Sequence, residues 1–301
     1  MKTHGENAVV NEVSRGRQVA GTFYVLASAA CFGSMAIFAR MAYASGIDVS
    51  TLLLCRFTIA AVLMWALLLA KGMKLPRGKG LAILVGMGAL GYAGQAFSFF
   101  TALTLASAGL VSLLLYLYPA LVAILACLVF RHPLTRFQVV AVIVALAGSV
   151  LTIGKAGDGK PLGIFFGVLC ALIYSVYILV GSRFPKTVTP TASTTVITSS
   201  AAATYAGVVA FRGFHPPATG TGWLAVVAIA VVCTVLAILF FFEGLERVGA
   251  VKASVYSTVE PVFTLFLASV VLGESITPMR VLGGILIVGA VLLLARENAK
   301  G

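Results

Sequence analysis

The stretch VGAVKASVYSTVEPVFTLFLASVVLGESITPMRVLGGILIVGAVLLLA, residues 248–295, decides the architecture. It holds two apolar runs, about 249 to 272 and 278 to 296, parted by Gly273-Glu274-Ser275. At 1.5 Å rise per helical residue each run is about long enough to cross a hydrocarbon core. An earlier stretch, ASAGLVSLLLYLYPALVAILACLVFRHPLTRFQVVAVIVALAGSVL at 106–151, echoes it at an offset of 142 residues.

Carried outward without a gap, that register lays the second half of the chain on the first. Gly21 meets Gly163, Ala29 meets Ala171, Gly80 meets Gly222, Phe99-Phe100 meets Phe241-Phe242 and Ala108 meets Ala250. Leu103 falls on Leu245, Ser112 on Ser254, Pro119 on Pro261, Thr135 on Thr277 and Val139 on Val281. The two prolines weigh most, because each removes a backbone donor inside an apolar run and predicts a bend or local opening there.

Composition agrees with a membrane solvent. Of 301 residues, 60% are hydrophobic and 10% charged, against about 25% charged in soluble domains. Ten apolar segments follow one another, at about 19–44, 50–70, 79–102, 106–130, 136–154, 161–182, 190–211, 221–244, 249–272 and 278–296. Segment seven, with Thr194, Thr195, Thr198, Ser199 and Ser200, is the one a hydropathy scan is expected to lose. The fold class is therefore an all-α integral membrane protein. It has ten transmembrane helices as two inverted-topology five-helix repeats, residues 19–154 and 161–296, after a cytoplasmic tail at 1–18.

Charge sets the sides. With the N-terminus inside, the cytoplasmic junctions hold Lys2, Arg15 and Arg17; Lys71, Lys74, Arg77 and Lys79; Arg131 and Arg136; Arg183 and Lys186; Arg247 and Lys252; Arg296 and Lys300. The opposite face keeps Arg40, Lys155, Lys160, Arg212 and Arg280. This is the positive-inside bias, and it places both termini in the cytoplasm of a bacterial inner-membrane protein. Five helices per repeat is odd, so the second half enters from the other side, which is a known route to alternating access.

Glu260, directly before Pro261, is the foremost functional candidate, since a carboxylate inside an apolar segment must face protein, water or a partner. It is either a hydrogen-bonded residue at a helix break or a contact for a substrate amine or proton. Tyr118 stands at its place in the first half. Arg56 is the other isolated charge; it either binds a substrate carboxylate or, as its position near the helix end favours, snorkels to the interface.

The candidate substrate-binding residues are Tyr92, Gln95, Phe99, Tyr116, Tyr118, Tyr174, Tyr177, Tyr256 and Glu260, with Pro119 and Pro261 as helix-distorting residues. Tyr92, Gln95 and Phe99 share one helix face by their three- and four-residue spacing. Ser98, Thr101, Ser112, Ser254 and Ser257 add polar groups nearby. Interhelical packing and an amphipathic cavity are both open to this set. Glu243, Glu246 and Arg247 read as a solvated cluster or a gate.

Other classes find little support. Cys31, Cys55, Cys127, Cys170 and Cys233 lie inside apolar runs with no metal or disulfide spacing, and His4, His132 and His215 fall in the tail or loops. No nucleophile with its base, no phosphate loop and no aromatic-basic nucleic-acid module is present, so no cofactor, metal, nucleic-acid partner or catalytic residue is assigned.

The quoted stretches, with LASAACFGSMAIFAR at 26–40, resemble the EamA domain of the drug/metabolite transporter superfamily over residues 19–296. The pattern Glu260-Pro261, Gly273-Glu274 and Gly283-Gly284 carries the likeness; the first half departs from it with Tyr118 and with Arg131-His132. The resemblance implies ten helices around a central cavity drawn from helices one, three, four, six, eight and nine, and a role in metabolite export. The chain looks most like the YddG-type aromatic amino-acid exporter group. The expected function is secondary transport of amino acids, aromatic ones included, by a monomer in contact with membrane lipid. Export of another solute such as a drug or nucleoside, or a non-transport membrane enzyme or scaffold, is the alternative.

Overall fold

The computed structural model describes residues 2–130, 135–153, 159–182, 188–248, 253, 256–257 and 259–297. Arg131, His132, Pro133, Lys155, Arg183, Lys186, Ala250, Lys252, Ser254 and Lys300 lie outside the described residues. The described chain is helical: α1 (Lys2–Gly33), α2 (Met35–Ala44), α3 (Val49–Ala70), α4 (Lys79–Gly86), α5 (Ala93–Leu105), α6 (Ala108–Leu115) and α7 (Tyr118–Phe130) come first. Then follow α8 (Arg136–Ile153), α9 (Pro161–Ser182), α10 (Pro190–Arg212), α11 (Gly220–Ala230), α12 (Ala237–Val248), α13 (Val259–Leu272) and α14 (Pro278–Glu297). The residues expected as a tail continue α1 as helix.

Among the described residues seven helices are long and apolar enough to cross a membrane, and Arg136–Leu151, Val259–Leu272 and Pro278–Leu293 are shorter apolar helices. The expected loss of segment seven is corrected. Pro190–Arg212 qualifies as the least apolar of the seven, and the shortfall falls on segments five, nine and ten. Segment nine's leading residues are only partly described, and segments five and ten each run into undescribed residues at one end. Large apolar side chains such as Phe23, Leu69, Leu90, Phe137, Val150, Phe211 and Leu224 lie exposed around the bundle, the surface a multi-pass protein turns to lipid.

Several segments are interrupted. Segment one breaks at Ser34, whose hydroxyl bonds Cys31 O at 2.8 Å. Segments three and eight each contain a π-helical turn, Met87–Tyr92 and Val231–Leu236, closed by five-residue bonds from Ala93 N to Gly88 O and from Ala237 N to Val232 O. Segment four is broken at Tyr116 and Leu117, so Pro119 sits in the first turn of α7, where an N–H would have no partner inside the helix in any case. Pro261 has the same place as the third residue of α13.

The main interfaces join the two halves: α8 with α14, α3 with α10, α1 with α12, α2 with α11, and α5 with α9. The next are α10 with the π turn of segment three, α3 with α11, α7 and α6 with α9, α1 with α13 and α6 with α13. Exchanging each segment with the one five places on returns the same set of pairings.

Small residues make the closest approaches and follow the same rule. A Cβ on Gly21 would lie 2.6 Å from Arg247 Cβ and 2.7 Å from Val248 Cγ1. One on Gly163 would lie 2.9 Å from Leu105 Cβ and 3.1 Å from Ala106 Cβ. These two contacts are related by the same 142-residue register, and each needs a glycine for the helix backbones to meet.

Candidate functional site

A cavity of about 900 Å³ lies between the halves. Eight of the nine residues expected at a binding site line it: Tyr92, Gln95, Phe99, Tyr116, Tyr118, Tyr174, Tyr177 and Glu260, together with Pro119. Tyr256 is half-buried and lies outside this wall, and Pro261 is buried outside it.

The wall is an arc of tyrosines. Ring centroids are 6.1 Å apart from Tyr92 to Tyr177, 6.0 Å from Tyr177 to Tyr174, 4.9 Å from Tyr174 to Tyr118 and 6.0 Å from Tyr118 to Tyr116. Tyr174 and Tyr177 stack at 16°, while Tyr118 meets Tyr174 edge-on at 69°. Such offset and edge contacts suit the ring quadrupole and hold the wall rigid. Three segments supply the arc: the π turn before α5 gives Tyr92, the break between α6 and α7 and the first residue of α7 give Tyr116 and Tyr118, and α9 gives Tyr174 and Tyr177.

An ionisable group stands at each end. Tyr116 Oη lies 3.0 Å from Glu260 Oε2 and 2.9 Å from Ser257 O, so its hydroxyl is shared between the carboxylate and the backbone. Among the described residues no Lys, Arg or His forms an ion pair with Glu260. The break at Tyr116 and Leu117 is what brings this hydroxyl to segment nine.

At the other end Arg56 is 3% exposed, which overturns the snorkelling expectation. Its Nε donates to Thr234 Oγ1 at 3.0 Å and its Nη2 to Tyr92 Oη at 3.2 Å. Its guanidinium carbon lies 5.0, 5.2 and 5.9 Å from the ring centres of Phe57, Phe100 and Tyr92, within cation–π range. Aromatic faces and neutral oxygens therefore replace water around the charge, and the helix end is not needed. Thr234 escaped the sequence reading, although the register that relates the halves lays it on Tyr92.

The two ends of the cavity differ. It reaches Thr135 and Gln138 at the start of α8 and Thr194 near the start of α10. The opposite end is tied together at the junction of α5 and α6. Glu274 accepts Ala108 N at 2.7 Å and Gly109 N at 3.2 Å, Arg40 Nη1 donates to Leu103 O at 2.9 Å, and Arg280 Nη2 donates to Ser107 Oγ at 3.2 Å. Ala106 forms a bridge with Gly159, and Lys160 N reaches Leu105 O at 2.9 Å. Gly273, at φ 68°, ends α13 and turns the chain so that Glu274 faces the N-terminus of α6, where backbone amides and helix dipole favour an anion.

Glu243, Glu246 and Arg247 do not join the cavity wall; Arg247 pairs with Glu243 one turn away and lies 4.9 Å from the Tyr24 ring centre. Ser98 is buried and bonds Gly94 O, while Ser257 lines the cavity.

Comparison with known proteins gives this geometry a family. The model of the EamA-like transporter family matches twice, at residues 19–154 and 161–296. The uncharacterised transporter YcbK of Bacillus subtilis is 27% identical over 288 residues, covering 90% of this chain and 92% of that protein. YyaM of the same organism is 30% identical, over 79% and 81% of the two chains. The aromatic amino acid exporter YddG of Ancylobacter novellus is 27% identical, over 64% and 71%. A solved crystal structure superposes with a TM-score of 0.66 at 24% identity, covering 92% of this chain and 97% of the other, a likeness of fold. The chain belongs to the EamA-like transporter family, membrane proteins that carry small metabolites across the bilayer and are not enzymes.

Proposed function

We propose that the protein exports amino acids, aromatic ones included, from the cytoplasm by alternating access of two inverted five-helix halves. The observation that carries this reading is the tyrosine arc with Glu260 at one end: flat rings for an aromatic side chain and a carboxylate for an ammonium group. The name of the YddG relative, an aromatic amino acid exporter, points the same way.

The exchange symmetry of the pairings supports inverted halves, because two similar units that pack on each other can trade conformations. With the N-terminus inside, Thr135, Gln138 and Thr194 mark the cytoplasmic end of the cavity, and the Glu274 clasp closes the outer end. Solute enters from the cytoplasm, and rocking of the halves about the breaks at Ser34 and Tyr116–Leu117 releases it outside. Among the described residues no chain of ionisable groups links Glu260 to either end, which favours facilitated diffusion over proton coupling.

The test is counterflow of radiolabelled amino acids in proteoliposomes. Saturable exchange of phenylalanine, tyrosine or tryptophan is expected. Absence of saturable flux across a broad amino-acid panel refutes the reading, and flux of drugs or nucleosides instead would reassign the solute.

A further inference from the structure

We infer that Arg56 is the binding site for a carboxylate of the transported solute, so that the cavity selects monoanionic or zwitterionic molecules over simple amines. The inference rests on the transport reading above and adds the chemistry at the other end of the arc.

A guanidinium inside a membrane bundle is costly unless something offsets its lost hydration. Among the described residues Arg56 forms no ion pair with a carboxylate, and Glu260, in the same cavity wall, is engaged elsewhere by Tyr116. Arg56 nevertheless lines the cavity, with Nε and Nη2 committed to hydroxyl oxygens. Among the described residues no hydrogen bond places Nη1 on a protein acceptor. A guanidinium can present further donors in one plane, the arrangement that receives a carboxylate.

The surroundings are built to hold that fork in place. Thr234 donates its own proton to Ile229 O at 2.8 Å, five residues back, so its oxygen is left to accept from Arg56. That five-residue reach belongs to the π turn Val231–Leu236, and Tyr92 closes the other π turn. The two π turns thus bring equivalent positions of the two halves, Tyr92 and Thr234, to opposite sides of a single arginine. Thr198 stands at the equivalent place to Arg56, so the charge occurs once. π turns of this kind concentrate at functional sites. One guanidinium, with a carboxylate in the same cavity, matches a monoanion and not a phosphate dianion.

The experiment measures thermal stabilisation of the purified full-length protein by 3-phenylpropionate, phenethylamine and L-phenylalanine, which carry the carboxylate alone, the ammonium alone and both. In the parent, 3-phenylpropionate and L-phenylalanine are expected to raise the unfolding midpoint at concentrations about 10-fold below those at which phenethylamine acts. Arg56→Gln is expected to lose about 10-fold or more in affinity for the acid, the loss of one charge-assisted bond or more, and to abolish the preference over the amine. Arg56→Lys, which keeps the charge without the fork, covers the case in which the glutamine variant does not fold and is expected to fall between. Equal stabilisation by acid and amine in the parent, no stabilisation by the acid, or unchanged acid affinity in the variants overturns the inference. Arg56-dependent acid binding without amino-acid flux would sink the amino-acid reading and leave this site standing. Phenylalanine flux and binding indifferent to Arg56 would do the reverse.

Discussion

The clasp at Glu274 makes a quantitative prediction. The carboxylate accepts the first two amides of α6 at 2.7 and 3.2 Å, joining the loop after α13 to the junction of α5 and α6. Glu274→Gln removes the charge and one acceptor oxygen. Hydrogen bonds to charged groups contribute about 1.5–3 kcal/mol each, and about 1.4 kcal/mol corresponds to a tenfold change in an equilibrium. If these bonds exist only while this end is closed, the ratio of closed to open molecules falls roughly 10- to 100-fold. The reporter is Ala96→Cys, a cavity position 1% exposed, in a background with the five native cysteines replaced. An impermeant maleimide is added from the side bearing residues 103–109 and 273–280. Labelling should speed up about 10-fold or more on Glu274→Gln and not on Glu243→Gln at the far end of the bundle. A rate unchanged within about twofold would refute the clasp, since at least one charge-assisted bond would have been removed without consequence.

Four further outcomes are expected. Proteoliposome flux of phenylalanine should be indifferent to an imposed pH gradient in the parent and in Glu260→Gln alike; gradient-driven accumulation lost in the variant would establish proton coupling. Tyr174→Ala removes the ring that stacks on Tyr177 and meets Tyr118 edge-on, and with it one aromatic face for a solute ring, about 0.5–1.5 kcal/mol; the KM for aromatic solutes should rise by about 2- to 12-fold while alanine transport is less affected. Gly88→Ala would put a Cβ 2.5 Å from Ile197 O and 2.8 Å from its Cα; detergent unfolding should register a loss of about 1–3 kcal/mol. Gly207→Ala, with nothing within 4 Å, should be neutral or stabilising by up to about 1 kcal/mol.

What could be read in advance follows physical range. Apolar runs the length of a bilayer, and a register relating Pro119 to Pro261, are properties of neighbouring residues or of one fixed offset. The arc was legible for a similar reason, since tyrosines in otherwise apolar segments have few places to put their hydroxyls. Arg56 was misjudged because distance from a helix end is a linear measure, whereas its burial depends on Tyr92 and Thr234, 36 and 178 residues away. The π turns leave no compositional mark, because a ring closed over five residues uses the same apolar side chains as one closed over four. Glu274 was legible only as part of a motif; its role appears once α6 presents its amides.

The pairing of segments across the halves has a consequence for biogenesis. All five segments of the first half find their largest interface in the second half of the chain, so a ribosome that has made residues 1–154 has released helices whose partners do not yet exist. Glycine faces such as Gly21, shaped for Arg247 and Val248, must wait in lipid or against the insertion machinery until the later segments arrive. Assembly is therefore a late event with long-range contacts, and an isolated first half should insert yet remain vulnerable to membrane proteolysis. Supplying the second half as a separate polypeptide should rescue it.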